Sequence, residues 1–404
     1  MILLCGRLID SVSDQPVERG VVAVEDDKIV FAGPRDSFSV PSSAKVYALA
    51  GATIMPGFID AHAHLTGSES KNRSGLNPFD LLLTTVRDMA ELVDAGVTGV
   101  RDMSRFGAHL KRAVDKGLVA GPRIMPGGRV MSPSAGHVDL EPDLAVEEFN
   151  RKSLIGYLAD GPEGCLRGVR QMFREGAEFI KICATGGISS AVDKIDDIQF
   201  SDQEIRVIVE EAARHGTYVA AHCTGTAGTR QALKAGVTSI EHGVMLDETC
   251  IELMKKADAT LVTTLAISLG IGDFQGLPEY MLVKARGVRE ACLRSYQMAR
   301  AAGIRVALGT DYSNSANTPF AEIGKEFYAL TRCGYTPMEA IKAGTINGAF
   351  LMKTAHLNGT LQAGKLADLI IVAGNPLDDI QLLGKAENVK LVMIGGEIKK
   401  DTIN

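Results

Sequence analysis

Apolar residues recur along this chain in two rhythms, and the changes between them divide it into three parts. Over residues 1–55 they form short β-rich runs, MILLCGRLID, GVVAVEDDKIVFAG and AKVYALAGATI, punctuated by Asp26-Asp27 and Gly33-Pro34. Branched residues in runs of this length, bounded by turn formers, predict strands. Residues 357–404 have the same character. ADLIIVAG and KLVMIGGEIKK predict strands, the second turned back on itself at Gly395-Gly396. Between them, residues 56–356 alternate apolar runs with stretches of helical spacing. The runs are IMPGFIDAHAH, GVTGVRDM, RIMPGG, FIKICATGG, YVAAHC, TSIEHG, TLVTTLAI and RVALGTDY, eight in all. Among the helices, SDQEIRVIVEEAARHG opens on a capping box, Ser201 with Glu204, and closes on Gly216. DETCIELMKKAD and YMLVKARGVREACLRSYQMARAAG carry apolar residues at helical spacing. Eight strands alternating with helices predict an α/β protein, a (β/α)8 TIM barrel over residues 56–356. The two sheet-forming ends, 1–55 plus 357–404, predict a small β-sandwich domain beside it, which requires the termini to lie close together.

Composition narrows the function classes. The chain has 404 residues, 46% hydrophobic and 23% charged, with a net charge of −6. That is enough apolar material for a large core, and no basic field to attract nucleic acid or an anionic membrane. Seven cysteines without C-x-x-C spacing predict free thiols in a reducing compartment. The N-terminus lacks the basic region and cleavage site of a signal peptide, and no apolar run approaches the roughly 18 residues of a membrane helix. The expectation is a cytoplasmic protein.

The polar residues then fall into a pattern. In a barrel of this kind chemistry sits at the C-terminal ends of the strands. The predicted strand ends carry His62 and His64, Lys181, His222, His242 and Asp311, so four of the chain's eight histidines stand at such ends. Residues i and i+2 of a strand share a face, so the two imidazoles of His62-Ala63-His64 can reach one metal ion. Lys181 stands apart chemically, because a buried ammonium repels metal ions. Carbamylation would turn it into an anionic bridging ligand; pairing with Glu178 or Asp311 is the alternative. His137 lies in GGRVMSPSAGHVD, a Gly/Ser/Pro loop after the third strand, where binding groups are expected. His109, His215 and His356 are expected to be structural or on the surface. Cys223, adjacent to His222, should point to the opposite face of its strand and pack in the core. TGTAGT (224–229) lacks a P-loop lysine and is expected to be a turn.

PGFIDAHAHL, Lys181, His222, EHG at 241–243, GTD at 309–311 and GTLQAGKLADLIIV at 359–372 together resemble the amidohydrolase superfamily over essentially the whole chain. KICATGGISS, RVMSPSAGH and IEHGVMLDE are similar to its imidazolonepropionase-related branch, which includes Xaa-Pro dipeptidases. The resemblance implies a binuclear site. His62, His64 and Asp311 would hold the more buried divalent ion and His222 and His242 the second, with N6-carboxylysine at Lys181 and a hydroxide bridging them. Zinc is the expected metal, with manganese, iron or cobalt as alternatives. Asp311 would shuttle the proton, and His137 would hydrogen-bond the substrate carbonyl. The implied activity is hydrolysis of an amide C–N bond in a dipeptide-like substrate or N-acyl amino acid. A cyclic-amide hydrolase resembling imidazolonepropionase and a non-catalytic metal-binding protein are the alternatives. For a substrate carboxylate, Arg101, Arg129 and Arg230 are the candidate cations, with pairing to Asp102 the alternative for Arg101, and Tyr312 and Asn314 are candidate pocket residues. Thr224 departs from the branch, whose members acting on C-terminal proline or basic residues often carry tyrosine there. A homo-oligomer is expected by resemblance; neither nucleic acid nor membrane is an expected partner.

Overall fold

The computed structural model of the chain describes residues 1–67 and 77–403. The N-terminal part supplies four strands, β1 (Ile2–Leu8), β2 (Val17–Glu25), β3 (Lys28–Pro34) and β4 (Lys45–Pro56). Ten shorter strands follow, most of them separated by helices. They are β5 (Phe58–Ala63), β6 (Val97–Asp102), β7 (Arg123–Pro126), β8 (Val130–Ser132), β9 (Gly156–Leu158), β10 (Ile180–Cys183), β11 (Val219–Cys223), β12 (Ser239–His242), β13 (Thr260–Val262) and β14 (Val306–Ala307). The chain closes with β15 (Leu369–Val372), β16 (Val389–Ile394) and β17 (Glu397–Asp401).

Both ends of the chain enter one seven-stranded sheet, in the order β17-β16-β15-β4-β1-β2-β3. Residues of one rhythm meet there: Leu4, Val22, Ile54, Leu369, Ile371 and Leu391 share a buried cluster. The alternate residues Ile370, Val372 and Val392 pack instead into the main core. This alternation puts apolar side chains on both faces, and the strands fit a β-sandwich. The β16–β17 turn uses Gly395 and Gly396, both at positive φ (57° and 77°), as a two-residue hairpin of this kind requires. Arg123 of β7 ties the sheet to the rest of the molecule through Asp368, with Nε 2.7 Å from Oδ2.

The middle of the chain is α/β with parallel sheets. β5-β6-β7 form one, and β14-β13-β12-β11-β10-β8-β9 the other. Backbone hydrogen bonds join them. Ala61 N donates to Leu308 O at 2.8 Å, His64 N to Tyr312 O at 3.0 Å, and Glu178 N to Pro126 O at 2.7 Å. Asp60 reinforces the first seam: its carboxylate accepts from the backbone N–H of His62 and of Thr310, both at 3.0 Å, and from the Thr310 hydroxyl at 2.7 Å. Burial pushes Asp60 up to about 7. Only Gly57 separates β4 from β5, and a Cβ there would lie 2.1 Å from Thr98 Cγ2, so this crossing admits no larger residue.

All eight predicted strands are present. The capping box at Ser201 is formed, with Glu204 N donating to Ser201 Oγ at 3.4 Å and Ser201 N to Glu204 Oε2 at 2.7 Å. Two differences have physical causes. β8 and β9 are three residues long, too short to show a period. TLVTTLAI is a strand only to Val262; from Leu265 it turns into a helix, Leu265–Gly270. That helix is started by a carboxylate remote in sequence. Glu326 accepts from Leu265 N at 2.6 Å and Ala266 N at 2.7 Å, satisfying two of the N–H groups a helix start leaves open.

Burial pushes the Glu326 carboxyl up to about 7, from 4.5, giving a prediction with a sign. A raised folded-state value favours the protonated form in the native protein, so stability from this group is fully present below about pH 4.5. It is lost as the pH rises through about 7. Glu326→Gln removes the titration. The difference in thermal midpoint between wild type and variant is therefore expected to move against wild type from pH 4.5 to 7 and to be flat above; a difference constant across that window refutes the assignment.

Candidate active site

The strand ends bring the candidates together. His62, His64, His137, Lys181, His222, Thr224, His242 and Asp311 all line one cavity of about 330 Å³, a size suited to a small organic ligand. Five imidazoles form a continuous arc. Ring centroids are 5.5 Å apart for His64–His62, 5.0 Å for His62–His242, 4.5 Å for His242–His222 and 4.4 Å for His222–His137.

Three of these side chains form the tightest group. Ligand atoms of His62, His64 and Asp311 lie within 4.8 Å of one another. Asp311 Oδ1 is 2.9 Å from His64 Nε2 and 3.4 Å from His62 Nε2. The other ring nitrogen of each histidine is already engaged. His62 Nδ1 donates to Glu241 Oε2 at 2.8 Å, and His64 Nδ1 to the carbonyl of Met103 at 2.9 Å. Neither partner can donate, so both Nδ1 atoms carry a proton and the Nε2 atoms, turned toward Asp311, are the ones that can ligate once they hold no proton. This is how metal-binding histidines are oriented in proteins. His222 has the opposite tautomer: Nε2 donates to Gly186 O at 3.2 Å, leaving Nδ1 as the lone-pair atom. His242 Nδ1 pairs with the Thr264 hydroxyl at 2.8 Å.

Burial holds His62, His222 and His242 well below the usual histidine value, which keeps them neutral and fit to ligate. His64 is the exception. Burial pulls it down, but the hydrogen bond and charge of Asp311 carry it above its ordinary value. Asp311 in turn is drawn below the usual carboxylate value, its burial outweighed by His62, His64 and Lys181. Both His242 and Asp311 have positive φ (69° and 60°). Such backbone costs about 1–3 kcal/mol for a non-glycine residue and clusters at functional sites.

Lys181 is 2% exposed. Neither expected partner is bound to it: Glu178 lies 3.8 Å from Lys111, and Asp311 pairs with the histidines. Among the described residues Lys181 has no hydrogen bond or ion pair, and burial lowers its pKa from the ordinary lysine value. A buried ammonium without partners is costly. Conversion to a carbamate, facing imidazoles that present lone pairs, removes the difficulty, so the donor set fits a divalent metal centre.

Several expectations are corrected. Arg101 does not reach the cavity. It is fully buried behind it, where Nη2 donates to Glu241 Oε1 and Oε2 at 2.8 and 2.9 Å, and Nε to the carbonyl of Ala61 at 2.6 Å. Arg230 is taken up by Asp247, and Arg129 by Glu175, at 2.7 Å. Tyr312 is 3% exposed and lies in the core. Asn314 donates to Glu91 at 3.0 Å and accepts from Phe320 N at 2.9 Å. As expected, Cys223 packs in the core, and His215 stacks on Phe173 at 4.0 Å.

Other site residues carried no usable signal in the sequence. Glu241 sits inside the EHG motif but faces away from His242 along the strand, toward His62. Ile188, Ile267, Ile271, Phe274, Leu277 and Met281 form an apolar wall of the cavity, and Ser313, Ser315, Asn317 and Thr318 supply polar lining.

Comparison with known proteins agrees with this geometry. A family model described as "Amidohydrolase family" matches residues 53–399. The chain belongs to the amidohydrolase family. Among its relatives in that family, ochratoxinase of Aspergillus niger is 33% identical over 99% of this chain and 86% of its own length. Imidazolonepropionase of Deinococcus radiodurans is 23% identical, covering 89% of this chain and 86% of its own. A crystal structure of a prolidase complexed with N-methylphosphonate-L-proline superposes with a TM-score of 0.91 at 30% identity, covering 99% of both chains. The A. niger ochratoxinase structure gives 0.89 at 31% identity, covering 99% of this chain and 95% of that one. Enzymes of the amidohydrolase family hydrolyse amide bonds and generally use metal ions. No helix among the described residues is long and apolar enough to cross a membrane.

Proposed function

We propose that this amidohydrolase is a binuclear metal enzyme hydrolysing the amide bond of an N-acyl amino acid or dipeptide-like substrate with a bulky apolar acyl half. The observation that carries the reading is the convergence of His62, His64 and Asp311 with His222 and His242 around a buried, unpartnered Lys181. We read the parallel strands as a closed (β/α)8 barrel over residues 56–356, supported by the hydrogen bonds that join its two sheets. Residues 1–55 plus 357–404 form the accompanying β-sandwich domain.

In this reading His62, His64 and Asp311 would hold one ion and His222 and His242 the other, with carboxylated Lys181 as a further ligand; zinc is the first candidate. When bound, the ions would supply an acidified water and a polarised amide carbonyl. The chain's own groups do the rest. Asp311 accepts the water proton on a carboxylate oxygen and returns it to the leaving nitrogen. His137, carrying a proton on Nε2 as well as on Nδ1, donates to the substrate carbonyl from Nε2, which faces the cavity. Ser313, Ser315, Asn317 and Thr318 follow Asp311 in the chain, so the amine half, released beside Asp311, lies over hydroxyls and an amide. Among the described residues Lys181 is the one lysine or arginine lining the cavity, so a carboxylate on the amine half meets neutral hydroxyl and amide donors. The acyl half lies against the wall from Ile267 to Met281 and Ile188, where each buried side-chain-sized group contributes about 1.5–3 kcal/mol. The names of the relatives, ochratoxinase and prolidase, support an amide-bond substrate. Seven unpaired cysteines support a cytoplasmic setting, and by resemblance the enzyme is a homo-oligomer.

The test is removal and return of the metal. Chelation is expected to abolish hydrolysis of a panel of N-acyl amino acids and dipeptides. Recovery is expected to need both Zn2+ or Mn2+ and bicarbonate, the source of the carbamate. Full activity in metal-free enzyme, or recovery indifferent to bicarbonate, overturns the binuclear carboxylysine reading.

A further inference from the structure

His137 is held by more than its loop. Its Nδ1 donates to Asp193 Oδ2 at 2.7 Å, and the Asp193 side chain is 1% exposed. The same oxygen accepts from Gly187 N at 3.2 Å. The other oxygen, Oδ1, lies 3.3 Å from the ammonium of Lys284, which also donates to the carbonyls of Gly187 (3.0 Å), Ser190 (2.9 Å) and Asp193 (2.7 Å). One cation thus gathers the whole 187–193 segment onto the helix Glu279–Ala301. Tyr280 of that helix adds a hydrogen bond from its hydroxyl to Ser189 O at 3.0 Å. On the far side, His137 N donates to Gln199 Oε1 at 2.8 Å. Gly187 passes so close beneath the ring that a Cβ there would lie 2.3 Å from His137 Cε1.

We infer that Asp193 and Lys284 are positioning residues for His137. A carboxylate accepts and cannot donate, so it holds a proton on Nδ1 of His137 and sets the ring's rotation; donating to a carbonyl oxygen then takes a second proton, on Nε2. Nε2 is left facing the cavity, where the Ser189 hydroxyl lies 3.1 Å away at the place a substrate atom takes. Lys284 acts one step further out. It fixes the carboxylate and pins the three carbonyls around it, and it stands one turn beyond Met281, which belongs to the apolar wall. The wall and the orientation of His137 therefore share one anchor.

The kinetic test rests on the amide-hydrolase reading; the spectroscopic one does not. In metal-loaded enzyme, Lys284→Met and Asp193→Asn are each expected to lower kcat about 10–100-fold, the range for outer partners of functional histidines. KM and metal content should change little. Made in a His137→Ala background, neither should cause a further loss, because residues acting as a unit are not additive. Separately from any substrate, the Nδ1 proton of His137 should give a downfield 1H resonance that vanishes in His137→Ala and shifts in Lys284→Met. Losses that add in the His137→Ala background overturn the proposal, as does wild-type kcat in Lys284→Met. If the wild type hydrolyses no amide, the reading of function fails, and a resonance indifferent to Lys284→Met overturns the positioning role by itself.

Discussion

Asp311→Asn is expected to lower kcat by about 10²–10⁴-fold, the range for loss of a positioned proton carrier, while metal content stays near that of the wild type. Asparagine keeps a carbonyl oxygen where Asp311 Oδ1 stands, 2.9 Å from His64 Nε2. What it loses is the ability to take up a proton. The backbone does not confound the comparison. Asp311 has φ of 60°, and asparagine is among the residues that adopt this conformation most readily. The same change removes the negative charge that raises His64, so His64 becomes easier to deprotonate and remains available as a ligand. Turnover by a battery of amides, with metal content measured on the same samples, decides the matter. Near-normal kcat in a fully metal-loaded variant would falsify the proton-carrier role.

Arg101→Met is the second large effect, and it acts on the fold and the metal site together. Arg101 and Glu241 are both 0% exposed and 2.8 Å apart. Arg101 also donates to Ser239 Oγ and Tyr218 Oη, both at 3.1 Å. Removing the guanidinium leaves the Glu241 carboxylate buried without its counter-charge, which costs about 3–5 kcal/mol. The carboxylate still holds His62 Nδ1 at 2.8 Å. The cheapest relief is for His62 to take a second proton, and an imidazolium cannot ligate. Denaturant unfolding of metal-free protein is therefore expected to show the lost stability, and metal titration about a 10–100-fold weaker affinity. The double variant Arg101→Met/Glu241→Leu separates the two effects. With both charges gone, stability returns in large part, but His62 has lost the group that orients it and the affinity stays low. Recovery of both in the double variant would show that the pair does not serve His62.

These two residues also mark how far the sequence could be read. Asp311 was legible because its signal is local: an apolar run ending in Gly-Thr-Asp, at the point where a barrel places its chemistry. His62 and His64 were legible for a similar reason, since a two-residue period puts both rings on one face. Arg101 was misplaced because nothing near it in sequence reveals its partner. Glu241 lies 140 residues away and becomes its neighbour only when β6 and β12 meet across the interior.

The same division runs through the rest of the protein. Local signals by themselves determined eight of the middle strands, the capped helix at Ser201 and the strand character of both ends, because period, caps and turn residues act within a few positions. The tertiary structure decided which charges neutralise one another and so which cations remain for a substrate. It decided that a helix begins at Leu265, because Glu326 arrives from a distant segment to cap it. It also decided that Asp193 and Lys284 stand behind His137. Coulomb and hydrogen-bond energies depend on separation in space, and for groups 56 to 140 residues apart that separation exists only once the chain has folded.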